Sequence, residues 1–213
     1  MNTRWSRSLS CVIATAMSSA LLIGCGGEKH GRSCSGRAGK DLSGRTVAGD
    51  DLLQKTLRCV NLEGSTLTGL VSEANLRHGN LYKARLTGAS LENVDLREAD
   101  LRGADLSSVS LSQVDLRGAD LSDAMLSKSL LEDVSFGGAH LSDVDLRAAS
   151  LTHVDLTKAD LSGADLSGAA LTDSDLRGAR TRDTDLSTTT WENVVCPDGS
   201  RSNAGTSCTS HLT

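Results

Sequence analysis

Cysteine and histidine are the first candidates for covalent, acid–base or metal chemistry in this 213-residue sequence, which contains six cysteines and five histidines. A zinc site needs closely spaced thiols or thiols with suitable imidazole partners, and no Cys-x-x-Cys pair occurs. A nucleophilic serine needs a histidine that accepts its proton, and the serines have no consistent histidine partner. No glycine-rich phosphate loop occurs either. The sequence therefore predicts no catalytic residue, no metal site and no bound cofactor.

Residues 1–24 have the pattern of an export signal. Arg4 and Arg7 make a basic start, and a mostly apolar run follows that is too short to span a membrane stably. The run ends in Leu-Ile-Gly-Cys at positions 22–25, which resembles the bacterial lipobox. That resemblance implies that Cys25 becomes the first mature residue and carries lipid on its thiol and amine. Several acyl chains attach a protein stably to a membrane, so we expect a lipid-anchored protein of the cell envelope.

The residue after this cysteine bears on which membrane is used. In Gram-negative lipoproteins an aspartate there usually marks retention in the inner membrane, and this chain has Gly26 instead. If the source is Gram-negative, the outer membrane is therefore favoured.

Export also decides what the other thiols can do. Cys11 would be lost with the signal, which leaves four thiols besides the lipidated one: Cys34, Cys59, Cys196 and Cys208. An oxidising compartment permits disulfides, and four thiols allow three pairings. Proximity in the sequence favours Cys34–Cys59 and Cys196–Cys208, with a metal site as the alternative.

Most of the chain follows a five-residue period. From position 76 to position 191, every fifth residue is Leu at 21 of 24 positions, the exceptions being Phe136, Thr181 and Trp191. Five steps on a helix would scatter these leucines around the axis, and on one long strand they would alternate between two faces. All of them can be buried only if the chain turns every five residues, with leucine pointing to the axis of the coil.

A longer period defines the shape of the coil. A small residue stands two positions before each leucine, and a polar residue, most often Asp, stands directly before it. The small position repeats its residue type every 20 residues, with Val at 94, 114, 134 and 154 and Ala at 99, 119, 139, 159 and 179. Four pentads per turn would stack these residues directly, so the sequence predicts a coil with four sides and about six turns.

These A-D-L-x-x units resemble the pentapeptide-repeat proteins, whose units read A-(D/N)-L-x-x. The resemblance covers about residues 60–191. It implies an all-β fold, a right-handed quadrilateral parallel β-helix with the central leucine and the preceding small residue pointing inward. Repeat units of this kind cannot bury their leucine alone, and stacking is what completes the core.

We divide the chain accordingly into a signal peptide at 1–24, a flexible tether at 25–40, an N-terminal cap at 41–59, the β-helix at 60–191 and a C-terminal disulfide loop and tail at 192–213. The cap is separated from the β-helix because charged residues occupy its small positions. Leu67 and Leu76 are nine residues apart, so we expect a bulge or bent coil between them, around Leu70 and Val71. Trp191, in the last interior position, is expected to plug the open end.

One of the four sides differs from the others in the position before leucine. Three sides carry Asp repeatedly, whereas the fourth carries no charge and consists of Ser90, Ser110, Leu130, Ser150, Ala170 and Thr190. Two explanations stay open. The pattern is chance among four sides, or it marks a contact face for self-association or for a partner protein.

Composition limits the classes of function. The net charge is −5 and no basic patch occurs, which disfavours direct nucleic-acid binding. The sequence predicts a non-enzymatic, lipid-anchored scaffold that acts through an unknown protein partner, through a homodimer, or as a structural rod. The alternative comes from the family resemblance. Some pentapeptide-repeat proteins resemble acidic duplex DNA, which implies a DNA-mimicking inhibitor of an enzyme such as DNA gyrase.

Overall fold

The computed structural model describes Cys34, residues 39–202 and Cys208. The signal at 1–24, the lipid site Cys25 and most of the tether lie outside these residues. Nine short strands and one 3-10 helix at Gly49–Asp51 make up the described regular structure. The strands are β1 (Thr46–Ala48), β2 (Thr66–Thr68), β3 (Leu70–Ser72), β4 (Ser90–Glu92), β5 (Ser110–Ser112), β6 (Leu130–Glu132), β7 (Ser150–Thr152), β8 (Ala170–Thr172) and β9 (Thr190–Glu192).

The strands stack in parallel, one coil above the next. Strands β3 to β9 form a seven-stranded sheet in chain order, and β1 pairs with β2 in a second sheet. In the larger sheet each residue pairs with the residue 20 positions later, so Leu91 lies beside Leu111 and Leu131 beside Leu151. Single parallel bridges with the same spacing, such as Asp95 to Asp115, mark the other sides of the coil. The predicted parallel β-solenoid with four pentads per coil is confirmed.

Leucine fills the interior as expected. Leu76, Leu81 and Leu86 have no measurable exposure, and the small residues before the leucines are equally hidden. Phe136 replaces leucine and is 1% exposed, so one coil accommodates a larger side chain without opening. A column of leucines with Ala or Val beside it packs a narrow core that has no need of aromatic residues.

The solenoid starts earlier than the sequence predicted. Residues 41–59, expected to be a separate cap, pair in parallel with the next coil, beginning with Asp41 and Asn61. Leu42, Val47 and Leu52 are buried in the same core as the later leucines. The charged residues at 40, 45 and 50 are exposed, because an outermost coil has a neighbour on one side only and its small positions reach solvent. With this coil the solenoid has about seven turns instead of six.

The register break lies where the sequence placed it, but it removes a residue instead of adding one. Asn61 pairs with Asn80, which is 19 positions later, whereas the other coils repeat every 20. The four-residue step from Leu67 to Val71 passes through Gly69, whose φ of +77° favours glycine. The short step turns Leu70 outward, where it is 46% exposed.

The N-terminal end of the larger sheet and the C-terminal end of the adjacent side have further structure beside them. At the N-terminal end the 3-10 helix packs on β3, and a Cβ added to Gly49 would lie 1.9 Å from the Leu70 carbonyl oxygen. Covering of this kind protects a strand edge from pairing with another chain. At the C-terminal end Trp191 is half-buried against the core, and Val195 pairs antiparallel with Arg201. None of the helical structure among the described residues is long and apolar enough to cross a membrane.

Candidate interaction face

The repeated aspartates have a structural task at the turns. On three sides the turn closes with a bond such as the one from the Ala99 N–H to the Leu96 carbonyl, at 3.1 Å. The N–H of Arg97, inside that turn, donates to Asp95 Oδ1 at 3.1 Å. The same side chain to backbone bond, spanning two residues, recurs at Asp41, Asp100, Asp105, Asp115, Asp120, Asp145, Asp155, Asp160, Asp165, Asp175, Asp185 and Asp198. Aspartate recurs because its carboxylate satisfies this backbone donor.

Asparagine performs the same task near the start of the solenoid. Asn61, Asn75 and Asn80 accept the N–H two residues later through Oδ1, at 3.1 to 3.2 Å. The task therefore requires an oxygen acceptor and not a negative charge.

Arginines neutralise much of the charge that the aspartates bring. The Arg97 guanidinium lies 2.7 Å from Asp95 and 3.4 Å from Asp115, so that it bridges two coils. Arg147 bridges Asp145 and Asp165 in the same way, at 2.7 and 3.7 Å. Further pairs are Arg102 with Asp100 and Asp120, Arg117 with Asp115, Arg177 with Asp175 and Arg180 with Asp160. The hydrogen-bonded guanidinium lowers the pKa of Asp95 and of Asp145 below the ordinary value of an aspartate.

The fourth side is built differently, and this explains why it carries no aspartate. It is the seven-stranded sheet, and its first outward positions are Leu70, Ser90, Ser110, Leu130, Ser150, Ala170 and Thr190. The residue two positions after each of them still belongs to the strand and pairs with both neighbouring strands. Glu92, for example, pairs with Ser72 and with Ser112. Hydrogen bonds between the strands therefore use the backbone N–H that an aspartate two residues earlier accepts on the other sides. Neither chance nor a contact face is needed to account for the missing charge.

We call the outward side chains of strands β3 to β9 the sheet face. All six residues predicted as a contact face lie on it, one on each of strands β4 to β9, and together they form a single column. A second column contains Ser72, Glu92, Ser112, Glu132, Thr152, Thr172 and Glu192. The face as a whole therefore carries three carboxylates, which reading only the position before leucine did not reveal.

Two leucines on the sheet face are exposed to an unusual degree. Leu130 is 59% exposed and Leu70 is 46% exposed, and only Leu53 and Met125 join them as exposed large apolar residues of the described chain. Leu130 lies in β6, the central strand of the seven. Leu70 was missed as a member of the column because the four-residue step shifts it out of the five-residue pattern, and counting back 20 positions from Ser90 would have found it.

The histidines form no catalytic arrangement. His153 lies between Asp133 and Asp173, with nitrogen to oxygen distances of 3.4 and 3.6 Å, on an exposed corner. The side chain of His78 is largely hidden beside Glu98, and this burial lowers the pKa of its imidazole. Within residues 39–202 and the two described cysteines outside them, no group of three or more His, Cys, Asp or Glu residues could hold a metal ion.

The four remaining thiols are joined in the structure. Cys34 is bonded to Cys59 and Cys196 to Cys208, the pairs that are nearest in the sequence. Cys196 and Cys208 are buried at the C-terminal end of the core. The lipid site, Cys25, lies outside the described residues.

A surface cavity of about 440 Å³ lies on the side of the solenoid opposite the sheet face. It is lined by Asp160, Ser162, Arg180 and Arg182. Asp160 already accepts hydrogen bonds from Ser162 and Arg180. Because this carboxylate is already hydrogen-bonded within the protein, we take the sheet face as the candidate contact surface of the described chain.

The chain is similar to several known proteins. The family described as pentapeptide repeats matches overlapping segments at 72–107, 99–138, 129–168 and 139–178, which together span half of the chain. No curated protein matches it. Among solved structures, a pentapeptide repeat protein from the cyanobacterium Cyanothece 51142 is 33% identical over 40% of this chain, with a TM-score of 0.39. This chain covers 58% of that protein, less than two thirds of its length.

Two further structures are more distant. HetL, a pentapeptide repeat protein involved in heterocyst differentiation regulation in Nostoc sp. strain PCC 7120, is 25% identical over 76% of this chain and 89% of its own, with a TM-score of 0.22. QnrB1, a plasmid-mediated fluoroquinolone resistance protein, is 19% identical over 71% of this chain and 90% of its own, with a TM-score of 0.34. On the repeat pattern, the parallel coils and the family match, the chain belongs to the pentapeptide-repeat proteins.

Proposed function

We propose that this protein is a non-enzymatic scaffold of the bacterial cell envelope, anchored by lipid on Cys25 and acting through its sheet face. The observation that supports it most is the exposure of two leucines on that face. Three sides carry aspartates engaged in turns, many of them also held by arginines, whereas the sheet face exposes Leu70 and Leu130 in a column without charge. The two leucines lie three strands apart, with Ser90 and Ser110 between them, in a column that offers uncharged surface to a partner.

The anchor rests on the sequence alone. The basic start, the short apolar run and the Leu-Ile-Gly-Cys ending are the three parts of a lipoprotein signal. For a Gram-negative source we propose the outer membrane, because Gly26 is not the inner-membrane retention residue. The predicted flexible tether at 25–40 would keep the contact face near the membrane without fixing its distance or orientation.

The alternative, a DNA-mimicking inhibitor, fits the side chains less well. Duplex DNA presents regularly spaced charges that are free to attract a protein. Here the carboxylates of Asp95, Asp115 and Asp145 lie against guanidinium groups, and their columns are partly neutral. An export signal would also separate the protein from a cytoplasmic target.

The anchor is tested by replacing the acylated thiol. We expect palmitate to label the wild-type protein, and Cys25→Ser to lose this label and to move from the membrane to the soluble fraction. The matched control is Cys34→Ser together with Cys59→Ser, because this variant removes cysteines without leaving a free thiol and keeps the anchor in place. Palmitate labelling that persists in Cys25→Ser would overturn the assignment.

A further inference from the structure

We propose that two copies of this protein pair through the sheet face, with their solenoids side by side and pointing in the same direction. The inference rests on the proposed function, because it names the partner of that same face. Symmetry, charge and the position of the anchors each favour this arrangement.

The first column of the sheet face can form a self-complementary interface with the same column of a second copy. A two-fold axis that runs along the solenoid in front of this column places every residue opposite its own copy. Leu130 then contacts Leu130 of the second copy, and Leu70 contacts Leu70. The side chains between them, such as Ser90 and Ser110, are small enough to let the two sheets approach. Pairing hides the two most exposed leucines of the described chain from water.

Charges beside Leu130 fit the same axis. Lys128 stands at the corner two residues before Leu130, and Glu132 stands two residues after it in the sheet. The two-fold axis exchanges left and right across the column, so Lys128 of each copy faces Glu132 of the other. Two equivalent ion pairs then flank the central leucine contact. The remaining glutamates, Glu92 and Glu192, face the corner residues Gly88 and Thr188, which are small and uncharged.

The opposite arrangement, with the solenoids antiparallel, is disfavoured by the same residues. A two-fold axis along the strand direction of β6 would bring Glu132 against Glu132 and Lys128 against Lys128. Like charges placed opposite each other destabilise an interface. Leu70 would face Thr190 at the far end of the sheet instead of another leucine. Antiparallel solenoids would also place their N-termini at opposite ends of the dimer, so one tether would have to run the length of the solenoid to reach the membrane that holds the other anchor. Parallel solenoids place both tethers at the same end.

The size of the face predicts a weak dimer. Seven strands at a spacing of about 4.8 Å and a width of about 13 Å give roughly 440 Å² on each copy. The total of roughly 900 Å² lies below the range of stable interfaces, so the dissociation constant should be on the order of 10 μM or weaker. Anchoring in one membrane raises the effective concentration, and the dimer should therefore form mainly on membranes.

Cysteine crosslinking of the full-length protein in its membrane tests the arrangement. In the parallel dimer Ser110 meets its own copy, so Ser110→Cys alone should form a disulfide-linked dimer under mild oxidation. Ser122→Cys, on the opposite side of the solenoid, is the matched control, and we expect at least about fivefold less dimer from it. A mixture of Ser110→Cys and Ser150→Cys that crosslinks while each variant alone does not would establish the antiparallel arrangement and overturn the proposal.

Exchange of the flanking charges tests the ion pairs independently. In the Ser110→Cys background, Lys128→Glu or Glu132→Lys alone should reduce the crosslinked dimer severalfold, because each sets like charges against each other. The double variant should restore it, because the pairs re-form with reversed polarity. Absence of rescue in a double variant that folds normally would contradict the geometry.

Membrane fractionation of the same cells separates this proposal from the anchor. Membrane-bound, palmitate-labelled protein that crosslinks equally at positions 110 and 122, or only to a different protein, overturns the dimer and leaves the anchored scaffold standing. Soluble, unlabelled protein overturns the anchor, and the Ser110→Cys dimer is then measured in solution at high concentration. If it is still no more abundant than the Ser122→Cys dimer, the dimer fails as well.

Discussion

Leu131→Asp is expected to abolish folding, whereas Leu130→Asp should leave the folded protein intact. The two leucines are neighbours in strand β6, yet Leu131 is 2% exposed and Leu130 is 59% exposed. A carboxylate at position 131 would lie in the leucine column without a partner, at a cost that exceeds the usual stability of a domain, about 5–15 kcal/mol, when added to the lost packing. At position 130 the same carboxylate stays in water.

Alanine gives the graded form of this comparison. Leu131→Ala should lower the free energy of unfolding by about 2–5 kcal/mol, because it leaves a cavity in a close-packed column. Leu130→Ala should change it by less than about 0.5 kcal/mol, as exposed substitutions usually do. Thermal unfolding followed by circular dichroism measures both pairs. Equal effects at the two positions would show that the inward and outward assignment of the pentad is wrong.

Acid should destabilise the solenoid strongly. The pKa values of Asp41, Asp95, Asp105, Asp115, Asp145, Asp160, Asp175 and Asp185 are all lowered from the ordinary value of 3.8. A carboxylate with a lowered pKa stabilises the folded state above its unfolded pKa, and this contribution is lost as the pH falls through the folded value. The contribution of these aspartates should therefore be constant near neutral pH and fall below about pH 4. His78, whose pKa is lowered by burial, adds a loss of stability that begins as the pH falls below its ordinary pKa of 6.5. Because these groups act together, we expect the melting temperature at pH 3 to lie on the order of 10 °C below that at pH 6.

Asparagine distinguishes the charge from the turn. In Asp95→Asn and Asp145→Asn the side-chain oxygen can still accept the backbone N–H, as it does at Asn75 and Asn80, but it no longer titrates. The double variant should fold at neutral pH and lose less stability than the wild type between pH 6 and pH 3. An unchanged slope would show that these two carboxylates do not contribute to the acid sensitivity. Asp95→Ala removes the acceptor as well and should be about 1 kcal/mol less stable than Asp95→Asn at any pH.

The sequence predicted the solenoid itself because one physical rule repeats along it. Leucine at every fifth position can be buried in only one way, and the 20-residue recurrence of Val and Ala sets the number of pentads per coil. The rule does not depend on long-range detail, since each coil contacts only its neighbours. The boundaries were less predictable. Lys40 and Arg45 argued against a coil before position 60, although an end coil tolerates charge where it faces water.

The sheet face could be recognised in part. Its first column was visible as the side without aspartate, but the reason for that absence was not, because the choice between a tight turn and a strand depends on how neighbouring coils bond. A sign of this difference was present in the sequence. The column that includes Ser110 and Leu130 contains neither Asp nor Asn, the two residues that accept the turn N–H on the other sides. Glu132 and Lys128 acquire their significance only when the sheet places them on either side of Leu130.

If the protein acts through its sheet face, that face should be covered in the native membrane, and thiol accessibility measures this cover. Ser110→Cys and Ser122→Cys add one free thiol each, on opposite sides, to a chain whose other described cysteines are paired. We compare the rate of maleimide labelling in native membranes with the rate for purified, detergent-dispersed protein at low concentration. We expect the membrane to slow labelling at position 110 severalfold and to leave position 122 unchanged. Equal rates at position 110 in the two preparations, or protection at position 122 instead, would contradict the account.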